Sequence, residues 1–180
     1  MLTGAYTMLK LCRYTGNKSE KDYVCDIIAA YKELLQTCGK KQIAWVQFDE
    51  PSLVLDMDDS DKALFHQIYD ELLAVETDTK VLLQTYFGDI RDIYEEVIKM
   101  PFAGIGLDFI EGKQTCDLVS KYGFPKDKVL FAGVVNGKNI WKNHYDKTLK
   151  VLSGLREMGI DTVISTSCSL LHVPYTLENE

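Results

Sequence analysis

Two acids stand side by side in QFDEPSLVLD, residues 47–56: Asp49 and Glu50, with Pro51 directly after them. Such a pair at the end of an apolar run could supply catalytic acids at the mouth of a pocket. Adjacent residues of a regular strand point to opposite faces, so one of the two at most can address a shared substrate atom. Pro51 biases Glu50 towards an extended backbone and fixes the exit of the chain, which leaves a structural role as open as a catalytic one. Asp108, in GIGLDFI, is a lone carboxylate in an apolar run and requires a partner, from a neighbouring strand tip or from a ligand amine. Cys168 and His172, in SCSLLHVP, are of the types that serve as nucleophiles or zinc ligands. A closed zinc site takes about four ligands and a catalytic one about three, yet the other tips offer Tyr86 and Phe87 where a ligand pair would be useful. Asn139 lies in NGKNIW, a loop stiffened by Asn and Gly that has neither dinucleotide nor P-loop spacing. No G-x-S-x-G elbow is present. His66 and His144 fall in or near helical segments and read as surface residues.

These residues sit at the ends of recurring apolar clusters. Strands are predicted over 42–48, 80–87, 102–110, 128–135 and 161–167, with a sixth near LTGAYTML. Helical spacing is clearest through Val24, Ile27, Ile28, Tyr31, Leu34, Leu35 and Cys38, with Ser19 as N-cap and Gly39 as the stop. Further helices are expected over 60–75, 89–99, 113–122 and 143–158. The strands have mostly lost polar alternation, as strands buried on both faces do, so the sheet should be parallel and covered by helices. Regular β-then-α alternation leaves an open doubly wound sheet or an eight-stranded barrel. In both, the functional crevice lies at the carboxyl ends of the strands.

The 180 residues suffice for one core, so a single domain, 1–180, is expected. A formal net charge of -7 offers no field for phosphate backbones or anionic lipid surfaces, which argues against nucleic-acid and membrane partners. Five cysteines without a CxxC pair, and no secretory leader, point to a reducing, cytoplasmic setting.

The stretches GAYTMLKL, VQFDEPSLVLD, LLQTYFGDI, AGIGLDFI, LFAGVVNGKNIW and SCSLLHVPYTLE, in that order, resemble the amino-terminal barrel of cobalamin-independent methionine synthase. The resemblance implies methyl transfer from a polyglutamylated methyltetrahydrofolate to homocysteine, in a protein of two face-to-face barrels. It places zinc and homocysteine in the carboxy-terminal barrel, where a His-x-Cys pair, a glutamate and a later cysteine hold the metal. If the two barrels descend from a duplication, Thr85, Tyr86 and Phe87 stand where the other barrel has His-x-Cys. Asp108 then stands near the glutamate and Cys168 near the last cysteine. The implied half is free of metal and cofactor, with Asp49 and Glu50 architectural, retained from a site.

Family chains start well upstream of LTGAYTML, with basic residues that help bind the folate tail. The expectation is therefore an α/β protein of parallel strand-helix repeats forming a partial TIM-type (βα) barrel of about six strands. Its open edges would pair in a homodimer or with a complementary barrel, and it would be inactive alone. Two other readings share the scaffold: a non-catalytic binding or interaction protein, and an enzyme related to uroporphyrinogen decarboxylase. Three arginines are too few to clamp a porphyrin with many carboxylates, so that last reading ranks lowest.

Overall fold

The computed structural model describes residues 1–173; Pro174 at the end of the last tip, and the rest of the PYTLE stretch, lie outside the described residues. Six strands run in the order β1 (Leu2–Thr3), β2 (Trp45–Asp49), β3 (Lys80–Gln84), β4 (Gly104–Asp108), β5 (Val129–Val135) and β6 (Thr162–Thr166). Each is paired in parallel with the next, and β1 and β6 form the two edges of the sheet. Strands that neighbour in sequence also neighbour in space, which is the winding of a (βα) barrel and excludes the strand reversal of a doubly wound sheet. Between them lie α1 (Ala5–Leu11), α2 (Val24–Lys40), α3 (Asp59–Leu73), α4 (Tyr94–Val97), α5 (Thr115–Tyr122) and α6 (Tyr145–Glu157). No helix among the described residues is long and apolar enough to cross a membrane.

The period of two along each strand divides the sheet into two faces. Val46 and Phe48, Val81 and Leu83, Ile105 and Leu107, Leu130 and Ala132 all point outward and are buried. They form one cluster with Tyr31 and Leu35 of α2 and with Phe65, Ile68, Tyr69 and Leu72 of α3. Each covered Val, Leu, Ile or Phe among them contributes about 1.5–3 kcal/mol. Trp45, Gln47 and Asp49 face the opposite way, the Trp45 ring meeting Phe131 of β5 at 5.8 Å. That inner face carries the chemistry.

Three elements depart from the sequence reading. Only Leu2 and Thr3 of LTGAYTML are strand, and the rest opens α1, because the Glu50 carboxylate accepts from the backbone N–H groups of Tyr6 (3.0 Å) and Thr7 (2.7 Å). Residues 89–99 give one short helix, α4, because Asp89 and Asp92 serve loops instead: Asp89 accepts from Gln114 N and Asp92 from Met57 N. Helix α2 runs through Gly39 and ends in a Schellman motif, with Ile43 N donating to Cys38 O and Gln42 N to Gly39 O. Gly39 is small because a Cβ there would stand 2.5 Å from Thr77 Oγ1. Ser19 caps a 3-10 turn, Glu20–Asp22, ahead of α2.

Candidate functional site

At the carboxyl ends of β2, β3, β5 and β6 lies a cavity of about 240 Å³, walled by Gln47, Asp49, Gln84, Tyr86, Phe131 and Cys168 together with neighbouring groups of the β6 tip. Glycines make the room: two of the three inner positions of β4 are Gly104 and Gly106, and a Cβ at Gly106 would occupy the place of the Gln84 carboxamide. Asp49 is 6 % exposed and accepts from Gln47 Nε2 at 2.7 Å. Burial raises its carboxyl pKa, an effect that the Gln47 hydrogen bond partly offsets. Burial, then the nearby Asp49, Cys168 and Glu50, push the Tyr86 phenol up to about 12. The Cys168 thiol is buried and likewise raised, chiefly by desolvation, so at neutral pH it stays a thiol and is a poor nucleophile or ligand.

Glu50 points the other way, as strand alternation requires. It has no exposed surface and faces α1 and α3, where Tyr69 also donates its phenol to it. Asp108 is 1 % exposed, and its partners are backbone amides: Oδ2 accepts from Phe87 N at 3.0 Å, Oδ1 from Ile110 N at 2.8 Å and Glu111 N at 2.9 Å. The partner from the neighbouring strand tip is thus the Phe87 N–H, and no ligand amine is called for. Phe87 takes a left-handed backbone, φ 74°, at this point. Its ring packs edge-on against exposed His172 at 5.0 Å.

Asp49 and Cys168 therefore share the barrel-mouth cavity, while Asp108 and His172 meet through Phe87 beside it. Asn139 lies elsewhere, in a second cavity outside the barrel that has no lining residue in common with the first. Gln47, Gln84, Ser165 and Thr166 were missed from the sequence, although the i, i+2 spacing of Gln47 and Asp49 was a usable signal.

Zinc, implied by the resemblance for another barrel, does not fit the donors here. Asp108 is engaged by three backbone amides, and Tyr86 and Phe87 stand where a His-x-Cys pair would be needed. Among the described residues no group of three or more His, Cys, Asp or Glu is placed to hold a metal ion.

The winding, the small inner glycines and the polar mouth define an arc of a TIM-type barrel. Residues 1–159 match the family model described as cobalamin-independent synthase, N-terminal domain, and the chain belongs to that family. It is 51 % identical over 179 residues to the 5-methyltetrahydropteroyltriglutamate--homocysteine methyltransferase of Lactococcus lactis subsp. lactis (strain IL1403), covering 99 % of this chain and 24 % of that protein. The protein of the same name from Campylobacter jejuni subsp. jejuni (strain 81-176) is 47 % identical over 180 residues, again with 24 % of its length covered. The chain thus spans about a quarter of the length of the curated relatives it matches. Among solved structures, a B12-independent methionine synthase from Shewanella sp. W3-18-1 in complex with selenomethionine superposes with a TM-score of 0.76 at 12 % identity, over 96 % of this chain and 55 % of that one. A putative vitamin-B12 independent methionine synthase from Listeria monocytogenes gives 0.72 at 16 %, over 94 % and 56 %. At these identities the two likenesses speak for the fold.

Proposed function

We propose that this chain is part of the amino-terminal barrel of a methyltransferase that transfers a methyl group from 5-methyltetrahydropteroyltriglutamate to homocysteine in methionine biosynthesis. The observation that carries the reading is the 51 % identity, across nearly the whole chain, to a relative named for that reaction. In this reading homocysteine and its activating zinc belong to the carboxy-terminal barrel, and this piece is one incomplete domain that shapes the folate-facing side and is inactive alone. The residues at its own barrel mouth support that division, since Tyr86 and Phe87 stand where the resemblance gives the other barrel its His-x-Cys pair. The open edges support it too. Ile164 on β6 is 61 % exposed, an apolar residue facing the side that helices cover elsewhere in the sheet. The remaining strand-helix units of the parent would cover it, and a homodimer through the same edges is the expected state of the piece by itself.

The test is a chimera in which this chain replaces the matching quarter of the Lactococcus lactis enzyme. The chimera is expected to make methionine from homocysteine within about tenfold of the parent rate, and the isolated chain to make none. A folded chimera without activity overturns the family function for this chain, and homocysteine methylation by the isolated chain, with full-length enzyme excluded, overturns the division of labour.

A further inference from the structure

The hollow that holds Asn139 lies outside the barrel. It measures about 410 Å³, within the range that takes a small organic ligand, and sits between the β5–α6 loop, α6 and the segment after β4. Its floor is apolar: Phe109, Val134 and Val151. A second apolar hollow, between α5 and α6, shares Phe109 and Val151 with it, so the floor continues along the helix seam.

Two lysines and two asparagines of its lining offer hydrogen-bond donors. Lys142 and Lys147 line it, and among the described residues neither forms an ion pair. Asn136 turns its carboxamide oxygen to Lys138 N at 2.8 Å, and Asn139 does the same to Trp141 N at 3.1 Å. Those bonds fix which way each amide points and leave both NH₂ groups free. Helix α6 begins here at His144 without a side-chain cap, which adds the positive end of a helix dipole. Of the nearby acids, Asp146 stands in the first turn of α6 and offsets part of that dipole. Glu111 is held by Lys138 at 2.7 Å, and Asp146 is exposed and pairs with neither lysine. At the rim, Trp141 is 79 % exposed, a flat apolar surface left to water in a chain whose other tryptophan meets Phe131 edge-on. Asn143 and Thr148, also in the lining, hydrogen-bond to each other, so the two lysines and the two amides are the donors that remain for a ligand.

We infer that this cavity binds a small amphipathic carboxylate, its flat apolar body lying between Trp141 and the Val134–Val151 floor and its anionic group taking the ammonium groups of Lys142 and Lys147 with the two asparagine amides. A charge-assisted pair of this kind is roughly twice as strong as a neutral hydrogen bond, so the anion sets the preference and the apolar floor supplies the area.

Isothermal titration calorimetry with naphthalene-2-carboxylate and its neutral carboxamide tests this, on the purified chain and on the chimera described above, each shown to be folded by circular dichroism. The carboxylate is expected to bind at least tenfold more tightly than the carboxamide, and the K142Q/K147Q double variant to lose that preference. Both lysines are exposed, so the variant should melt as the parent does. W141A should weaken both probes severalfold, while W141F retains them. No saturable binding, equal binding of the two probes, or a preference that survives the double variant overturns the site. Binding requires no methyl transfer, so this result and the chimera's activity fail or succeed separately.

Discussion

Tyr69, in the last two turns of α3, donates its phenolic proton to the Glu50 carboxylate just past the tip of β2, and the same carboxylate takes two backbone N–H groups at the start of α1. One buried acid thus ties three elements together. Burial pushes its pKa up to about 7, against the pull of the hydrogen bonds from Thr7, Tyr69 and Tyr6. A carboxyl with a folded value near 7 and an unfolded value near 4.3 holds its proton more tightly when folded. Its contribution to stability is therefore full below the unfolded value and is lost as pH rises through the folded one, by on the order of 3 kcal/mol. Urea midpoints measured from pH 4.5 to 8 should show this decline, and Glu50→Gln should flatten it while lowering stability throughout, because its NH₂ faces hydrogen-bond donors. An undiminished slope in that variant would assign the titration to another group.

Asp108 makes a comparable knot at the mouth of the barrel, where Phe87 is held in the left-handed region. For a bulky residue that conformation costs about 1–2 kcal/mol and persists only when its surroundings impose it. Asp108→Asn removes the charge and points an NH₂ group at amides that need an acceptor. It should destabilise the protein by about 2–4 kcal/mol. Amide exchange at Phe87, Ile110 and Glu111 should quicken most; unchanged protection there would show that the loop is held by its packing alone.

Strands β2 to β6 could be read from the sequence because local composition determines them: β-branched and aromatic runs closed by turns. Helix α1 could not, since its first amides are satisfied by Glu50, 44 and 43 residues away from Tyr6 and Thr7. The segment before α4 misled for the opposite reason, its aspartates leaving the helix to serve distant loops. In the candidate site, the period of two was enough to part Asp49 from Glu50. No pattern in the sequence could tell that Asn139 leaves the barrel mouth for a separate hollow, because the course of a loop decides it.

Gln42 closes α2 with φ 56° at the position of the Schellman motif where glycine is favoured. Nothing but a turn is asked of it, so Gln42→Gly relieves the strain at the cost of some unfolded-state entropy. The variant should gain about 0.5–1 kcal/mol, read as a higher urea midpoint with an unchanged slope. A loss of stability would mean that the glutamine side chain contributes more than its backbone costs.

Two inner glycines should respond differently to the same added methyl. At Gly106 a Cβ meets the Gln84 carboxamide, the far end of a flexible side chain that can swing into the neighbouring cavity. At Gly133 it stands 2.8 Å from the Ser167 Cα, 2.9 Å from Leu107 O and 3.0 Å from Thr166 O, all backbone or bonded to it. Backbone atoms on both flanking strands cannot move without opening the ladders β4–β5 and β5–β6, which pair Asp108 with Gly133 and Gly133 with Ser165. Gly106→Ala should therefore cost about 1 kcal/mol, and Gly133→Ala about 3 kcal/mol or more, at the upper end of overpacking penalties. Thermal melts of the two variants order them directly. Equal losses would mean that Gln84 is as fixed as the backbone, and that the barrel-mouth cavity has a rigid wall where a yielding one is expected.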